Sequence, residues 1–260
     1  MATPRQLKAL LLPHQQDTDH VRRALRNLLA ESPALVGRTH RAQQSYWYCT
    51  SAGLAEAAAS GELASPVGRT TGKRIAASKT GLREHGLALV DTVIAFHQAE
   101  VADHADWQVE VAHPTPAGNL VPDGVVLLAD GSSAFVEIDR TTSYPACLPS
   151  WSATTPTATH RRPGTATPPA PAQPLAGDLR RAVAGAALPA AAVRLRPGQA
   201  PRGPGNEEAA FHDRARPNWR ITVATTTLHQ LIRDGANRPV WRIVGHGEDR
   251  RVLTAAPSPR

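Results

Sequence analysis

Cysteine is scarce: Cys49 and Cys147 are the only two in the chain. Two thiols cannot build a disulfide framework and are too few for a structural zinc site of the usual cysteine-rich kinds. The eleven histidines do not restore that option, because none pairs with a cysteine at metal-ligand spacing. Long apolar runs are missing too. The N-terminal MATPRQLKALLLPHQQDT is too short of apolar residues for a signal peptide or a membrane span, so the expectation is a cytoplasmic protein with no membrane partner. What is there is globular in kind: 260 residues at 41% hydrophobic content suffice for one good core or two small ones.

Acidic residues are nearly absent from one stretch. Between Pro145 and Gly205 there are seven arginines (161, 162, 180, 181, 194, 196 and 202) against Asp178 alone, so this stretch supplies most of the net charge of +7. The overall basicity is therefore no electrostatic footprint for nucleic acid. The first fifty residues are more informative, with Arg5, Lys8, Arg22, Arg23, Arg26, Arg38 and Arg41 against Asp17, Asp19 and Glu31.

Residues 17 to 32, DTDHVRRALRNLLAES, open on an Asp able to cap a helix and place Val21, Leu25, Leu28 and Leu29 on one face, with Arg22, Arg23 and Arg26 on another. A short apolar ALVGR, a polar THRAQQS and an aromatic, strand-like YWYCT follow. With a helix over 5 to 12 before it and SAGLAEAAA after it, this order predicts a winged helix-turn-helix over 1–60. The basic helix is its recognition helix and THRAQQSY its wing. Arg22, Arg23, Arg26, Arg38, Arg41 and Tyr46 are the candidate contacts to double-stranded DNA. The same pattern also suits an amphipathic helix with a solvated arginine face beside an ordinary hairpin.

Residues 61–79 read as a linker, and 80–144 as an α/β core. That core holds a long helix over 80 to 104, with Leu82, Leu89, Val93, Ile94 and Phe96 facing inward and His85 and His97 as packed or surface histidines. Strands WQVEV, PDGVVLLADG and SSAFVEIDR follow. Residues 217–248 supply a further strand, capped helix, glycine stop and strand, and 249–260 a tail. The fold class expected is α/β (α+β): an N-terminal winged helix followed by a small restriction-endonuclease-like domain, with a disordered Pro/Ala-rich insert over 145–216.

The insert sits badly after a core strand, since long structureless inserts are uncommon in compact domains. From Pro145 to Gly205 lie twelve of the 23 prolines and not one Phe, Ile or Lys. Ala, Pro, Arg, Gly and Thr richness is what a GC-rich gene yields out of frame. One shifted frame lets Tyr144 to His160 decode as the amphipathic ARLLAKLERYDAYRHA. The other lets the chain from Leu175 decode as WQETYAGPSRERRFPPLLFVFAPG, and three single-base losses restore the written frame by Trp219. The expectation is a frame shift over about 145–216, whether in the gene or in its sequencing.

With those pieces in view, VRRALRNLLAESPALVGR with YWYCTSAGL, the helix around His85, WQVEV, VPDGVVLL, FVEIDRTT and TTTLHQLIRDGANRPVW resemble the actinobacterial replication-relaxation family. The resemblance covers most of 5 to 144 and 217 to 244. It implies DNA binding linked to plasmid or mobile-element replication or relaxation, with plasmid replication or mobilisation proteins as further partners.

Asp123 after Pro122, with Glu137 fourteen residues on, also resembles the PD-(D/E)xK nuclease core, in which two acids hold Mg²⁺ and a metal-bound water attacks the phosphodiester. Glu110 is a candidate third acid. Asp139 stands where those nucleases carry lysine, and Arg140 comes one place late and points to the other face of a strand. Against catalysis at Glu110, Asp123, Glu137 and Asp139 stands the reading of PDG as a turn and the acids as edge carboxylates. Three functions stay open: a DNA-binding protein, a metal-dependent DNA nickase or nuclease, and a decayed, non-functional gene product.

Overall fold

The computed structural model describes residues 1–41, 43–61, 80–109, 111–115, 118–138, 191–196 and 222–253. The expected linker, apart from Gly61, lies outside them, as do Glu110, Asp139, Arg140 and the whole of 145–216 except for one strand. The described chain is a mixture of helices and largely antiparallel sheets.

Helix α1 (Pro4–Leu11) starts where Thr3 and Gln6 form a reciprocal cap: the Thr3 amide donates to Gln6 Oε1 at 2.9 Å and the Gln6 amide donates to Thr3 Oγ1 at 3.2 Å. Such boxes satisfy two donors that a helix start leaves orphaned. Helix α2 (Asp19–Ala30) begins one residue later than capping by Asp17 predicts. Its N-cap is Thr18, which makes no side-chain cap bond, and Asp17 instead accepts the Asp19 amide at 3.0 Å. Strands β1 (Val36–Arg41) and β2 (Gln44–Cys49) pair antiparallel, with Arg38 opposite Trp47. Residue Ala2 bridges to Trp47 on the hairpin's other edge. Val21, Leu25, Val36 and Trp47 close a small core, with Leu7 and Leu29 against it.

Helix α3 (Ser51–Ala59) is capped by Thr50, whose Oγ1 accepts the Gly53 amide at 3.1 Å and donates to the Ala34 carbonyl at 2.6 Å. The approach is close enough to require glycine. A Cβ on Gly53 would stand 2.0 Å from the Leu35 carbonyl oxygen.

Helix α4 (Thr80–Gln98) ends before the expected residue 104, and a 3-10 turn (His104–Asp106) follows. Its buried stripe runs through Ala88, Leu89, Thr92, Ala95 and Phe96, whereas Val93 and Ile94 are only half-buried. Thr92 is tolerated there because its hydroxyl donates to the Ala88 carbonyl at 2.9 Å. Phe96 meets Trp107 and Trp241 edge-on, with ring centroids 5.4 and 5.9 Å away.

Behind α4 lies a seven-stranded sheet in the order β11, β10, β9, β8, β7, β6, β3. Its members are β3 (Trp107–Val109), β6 (Gly124–Leu127), β7 (Ser133–Ile138), β8 (Ala191–Arg196), β9 (Thr222–Thr227), β10 (Trp241–Ile243) and β11 (Arg250–Arg251). A separate small hairpin pairs β4 (His113–Thr115) with β5 (Gly118–Leu120). Strands β7, β8 and β9 run parallel, and the other pairings in the large sheet are antiparallel. Helix α5 (Leu228–Asp234) follows β9, capped by Thr227 and stopped by Gly235 at φ +92°, a left-handed conformation that suits glycine.

Two expectations are corrected here. Residues 191–196 were expected inside a structureless insert, yet they form β8, at the centre of the sheet and hydrogen-bonded on both sides. Adding backbone bonds along two neighbours outweighs the poor strand signal of AAVRLR. The tail expected from residue 249 also contributes, since Arg250 and Arg251 pair with β10 and Leu253 is buried in the core.

Candidate functional site

The basic helix carries its charges on its exposed side. Val21 and Leu25 are buried, so Arg22, Arg23 and Arg26 fall on the solvent side of α2, and all three are exposed. Arg22 lies 3.9 Å from Asp19, an exposed pair that holds little free energy. Arg38 stacks its guanidinium over the Trp47 ring, 5.5 Å from the centroid. Because Trp47 belongs to the core that also buries Val21 and Leu25, Arg38 and the basic helix are built on the same few side chains.

The hairpin divides the remaining candidates. Strand alternation puts Arg41 and Tyr46 on the face opposite Arg38 and Trp47. There Arg41 pairs with Glu84 of α4 at 3.7 Å, and Arg83 lies over the Tyr46 ring at 5.8 Å. The Tyr46 hydroxyl donates to Gln44 Oε1 at 3.1 Å. Arg41 and Tyr46 therefore join the hairpin to the start of α4, while Arg22, Arg23, Arg26 and Arg38 remain with the basic helix. A second tie is made by Gln6, whose Nε2 donates to Asp91 Oδ1 at 2.7 Å and to the Leu87 carbonyl at 3.2 Å. Burial holds the Asp91 carboxyl above the usual carboxylate range, and the Gln6 bond partly offsets this.

Around the acids proposed for catalysis, the register that sets Gly124 opposite Val136 brings Asp123 to the end of the paired segment beside Glu137. Asp123, however, has both oxygens engaged. Oδ1 is 2.8 Å from His85 Nε2 on α4, and Oδ2 accepts the Ile138 amide at 2.6 Å. The carboxylate thus fastens α4 to the β6–β7 hairpin. Glu137 sits half-buried on β7, on the face away from Ala134, Val136 and Ile138, which are buried in the core with α4. In the pairing with β8 it lies opposite Arg194. The third and fourth acids, Glu110 and Asp139, fall outside the described residues. From the sequence His85 reads as a packed or surface histidine; its partner is thirty-eight residues away, and no local pattern shows such a pairing.

No helix among the described residues is long and apolar enough to cross a membrane. Compared with protein families, residues 1–152 match the model described as replication-relaxation. No curated protein and no solved structure matches. The family match spans α1 to β7 and stops before β8 and the C-terminal strands.

Proposed function

The chain belongs to the replication-relaxation family, and from that premise we propose that it binds double-stranded DNA through α2 and the β1–β2 hairpin, as a winged helix serving plasmid or mobile-element replication or relaxation. The observation that supports this most is the unneutralised cationic face of α2. Arg23 and Arg26 have no carboxylate partner among the described residues, Arg22 has only a distant one, and Arg38 is held beside them on Trp47. Guanidinium groups free of ion pairs are available to phosphates and to guanine edges. The order of helix, helix, strand, strand fits a recognition helix followed by a wing. The test is a gel shift of the full chain on duplex DNA. Replacing Arg22, Arg23 and Arg26 together by Ala abolishes the shift, and an unchanged shift refutes the reading.

Binding without catalysis is favoured over metal-dependent nicking with Mg²⁺ at Asp123 and Glu137. A carboxylate committed to His85 and to a backbone amide is poorly disposed to take up a hard cation, which needs oxygen ligands free to turn toward it.

A second reading concerns the reading frame, and β8 supports it. A strand with parallel neighbours on both sides ordinarily reads as a nearly continuous apolar run, yet the written β8 is AAVRLR, with two arginines. In the shifted frame the same six positions can decode as LLFVFA, one of the readings that degenerate codons permit. We infer that 145–216 is translated out of frame and that function depending on it is impaired. Resequencing the coding DNA around codons 144, 161 to 174 and 214 to 217 finds the three missing bases on this account. A DNA sequence that yields the written frame throughout, with no disrupted relative in the same locus, removes it.

A further inference from the structure

Where α4 ends, the chain reverses and brings two histidines and an aspartate together on a surface that plays no part in the basic helix or the Asp123 tie. His97 stands in the last turn of α4, and Asp103 and His104 begin the 3-10 turn. His97 Nδ1 lies 3.7 Å from Asp103 Oδ2, and His104 Nδ1 lies 3.1 Å from Asp103 Oδ1. One ligand atom from each of the three lies within 4.8 Å of those of the other two. The two imidazoles meet edge to face at 5.0 Å.

We propose that His97, Asp103 and His104 bind a divalent transition-metal ion, with Zn²⁺ the ion their donors suit. Two ligand atoms each about 2.0–2.1 Å from a tetrahedral Zn²⁺ stand roughly 3.3–3.4 Å apart. His104 Nδ1 and His97 Nδ1 approach different oxygens of the Asp103 carboxylate, at 3.1 and 3.7 Å, and small side-chain rotations within the 4.8 Å cluster bring one oxygen and both nitrogens around a single ion. Two imidazoles and one carboxylate are a borderline-soft donor set that selects zinc over magnesium or calcium, which prefer oxygen alone. Water completes the fourth position.

The backbone holds these groups in place before any ion arrives. Phe96, next to His97, is fully buried, and Val101 and Ala102, just before Asp103, are 5% exposed. The Val101 amide donates to the Phe96 carbonyl at 3.0 Å, and the Ala129 amide donates to the Val101 carbonyl at 2.8 Å. Glu100, at φ +55°, makes the reversal between the two arms. Asp103 is oriented by the Ala105 amide, which donates to its Oδ1 at 2.9 Å, leaving Oδ2 toward His97. An ion here would staple the end of α4 to the approach to β3. The cysteine-based exclusion of structural zinc does not reach this site, which contains no sulfur.

The experiment is calorimetric titration of the full chain with ZnCl₂, and separately with MgCl₂, alongside His97→Ala, His104→Ala and, as a control, His229→Ala. Circular dichroism verifies folding. If an alanine variant fails to fold, Asp103→Asn takes its place, since it keeps an oxygen for the Ala105 amide. The expected result is one equivalent of Zn²⁺ bound, no competition from Mg²⁺, affinity weakened at least about tenfold by each ligand substitution, and no effect of His229→Ala. Absence of saturable Zn²⁺ binding, equal affinity in the ligand variants, or an equal loss in His229→Ala overturns the proposal.

Discussion

Asp91 is a carboxylate carried into a half-buried position on α4 and held by Gln6. Burial raises its proton affinity in the folded state. The folded chain therefore takes up a proton at higher pH than the unfolded chain, whose carboxyl titrates at about 3.9. The resulting stability is fully present below the unfolded value and is lost as pH rises through the folded one. Asp91→Asn keeps the acceptor for Gln6 and removes the buried charge. Thermal melts should show it more stable than the parent near neutrality, with the difference vanishing in acid; a lower melting temperature at neutral pH contradicts the account. At Asp123 substitution is expected to destabilise. Asp123→Ala removes the acceptor of the Ile138 amide and the partner of His85, and leaving that amide unsatisfied costs about 1–3 kcal/mol. Urea unfolding measures this loss. An unaltered midpoint would show that the tie contributes nothing and would free Asp123 for another role.

At the scale of elements, what was legible in the sequence was what depends on near neighbours. Val21 and Leu25 against Arg22, Arg23 and Arg26 declared the buried and exposed sides of α2, since spacing along a helix fixes direction around it, although Leu28, read onto the buried side, is exposed. The Gly235 stop after LHQLIRD was equally plain. What could not be read depends on residues far apart in the chain. His85 finds Asp123, and His97 finds Asp103 and His104, only after a helix has been laid on a hairpin or a chain reversal has closed. Strand β8 was missed for a different reason: its two arginines contradict the apolar pattern of a central strand, and only its neighbours reveal it. Local structure also predicts which substitutions hurt. Thr50→Ala should cost about 1 kcal/mol through loss of the α3 cap, measured by chemical denaturation, and Gly53→Ala should cost more because its methyl meets the Leu35 carbonyl. Equal stability of Gly53→Ala and the parent would mean that α3 does not dock on the start of β1 as described.

On the scale of the whole molecule, α4 is the shared member. It takes Arg41 of the hairpin near its start and Gln6 of α1 at mid-length, and it lays Phe96 between Trp107 and Trp241 over the large sheet. The unit proposed to bind DNA is thus mounted on the element that organises the rest. On the proposed function, DNA affinity comes from that unit's arginines and not from the charge of the chain as a whole, most of which resides in 145–205. These alternatives differ in how affinity responds to salt, because each phosphate contact contributes roughly 0.9 to the slope of log K against log salt concentration. The decisive measurement is that slope, by fluorescence anisotropy on a labelled duplex, for the full chain and for the variant in which Arg22, Arg23 and Arg26 are all Ala. If all three contact phosphates, the variant's slope is shallower by about 2.7, with its affinity reduced to match, whereas Arg41→Ala, on the face of the hairpin opposite Arg38, leaves the slope unchanged. Equal slopes in the parent and the triple variant contradict the central claim.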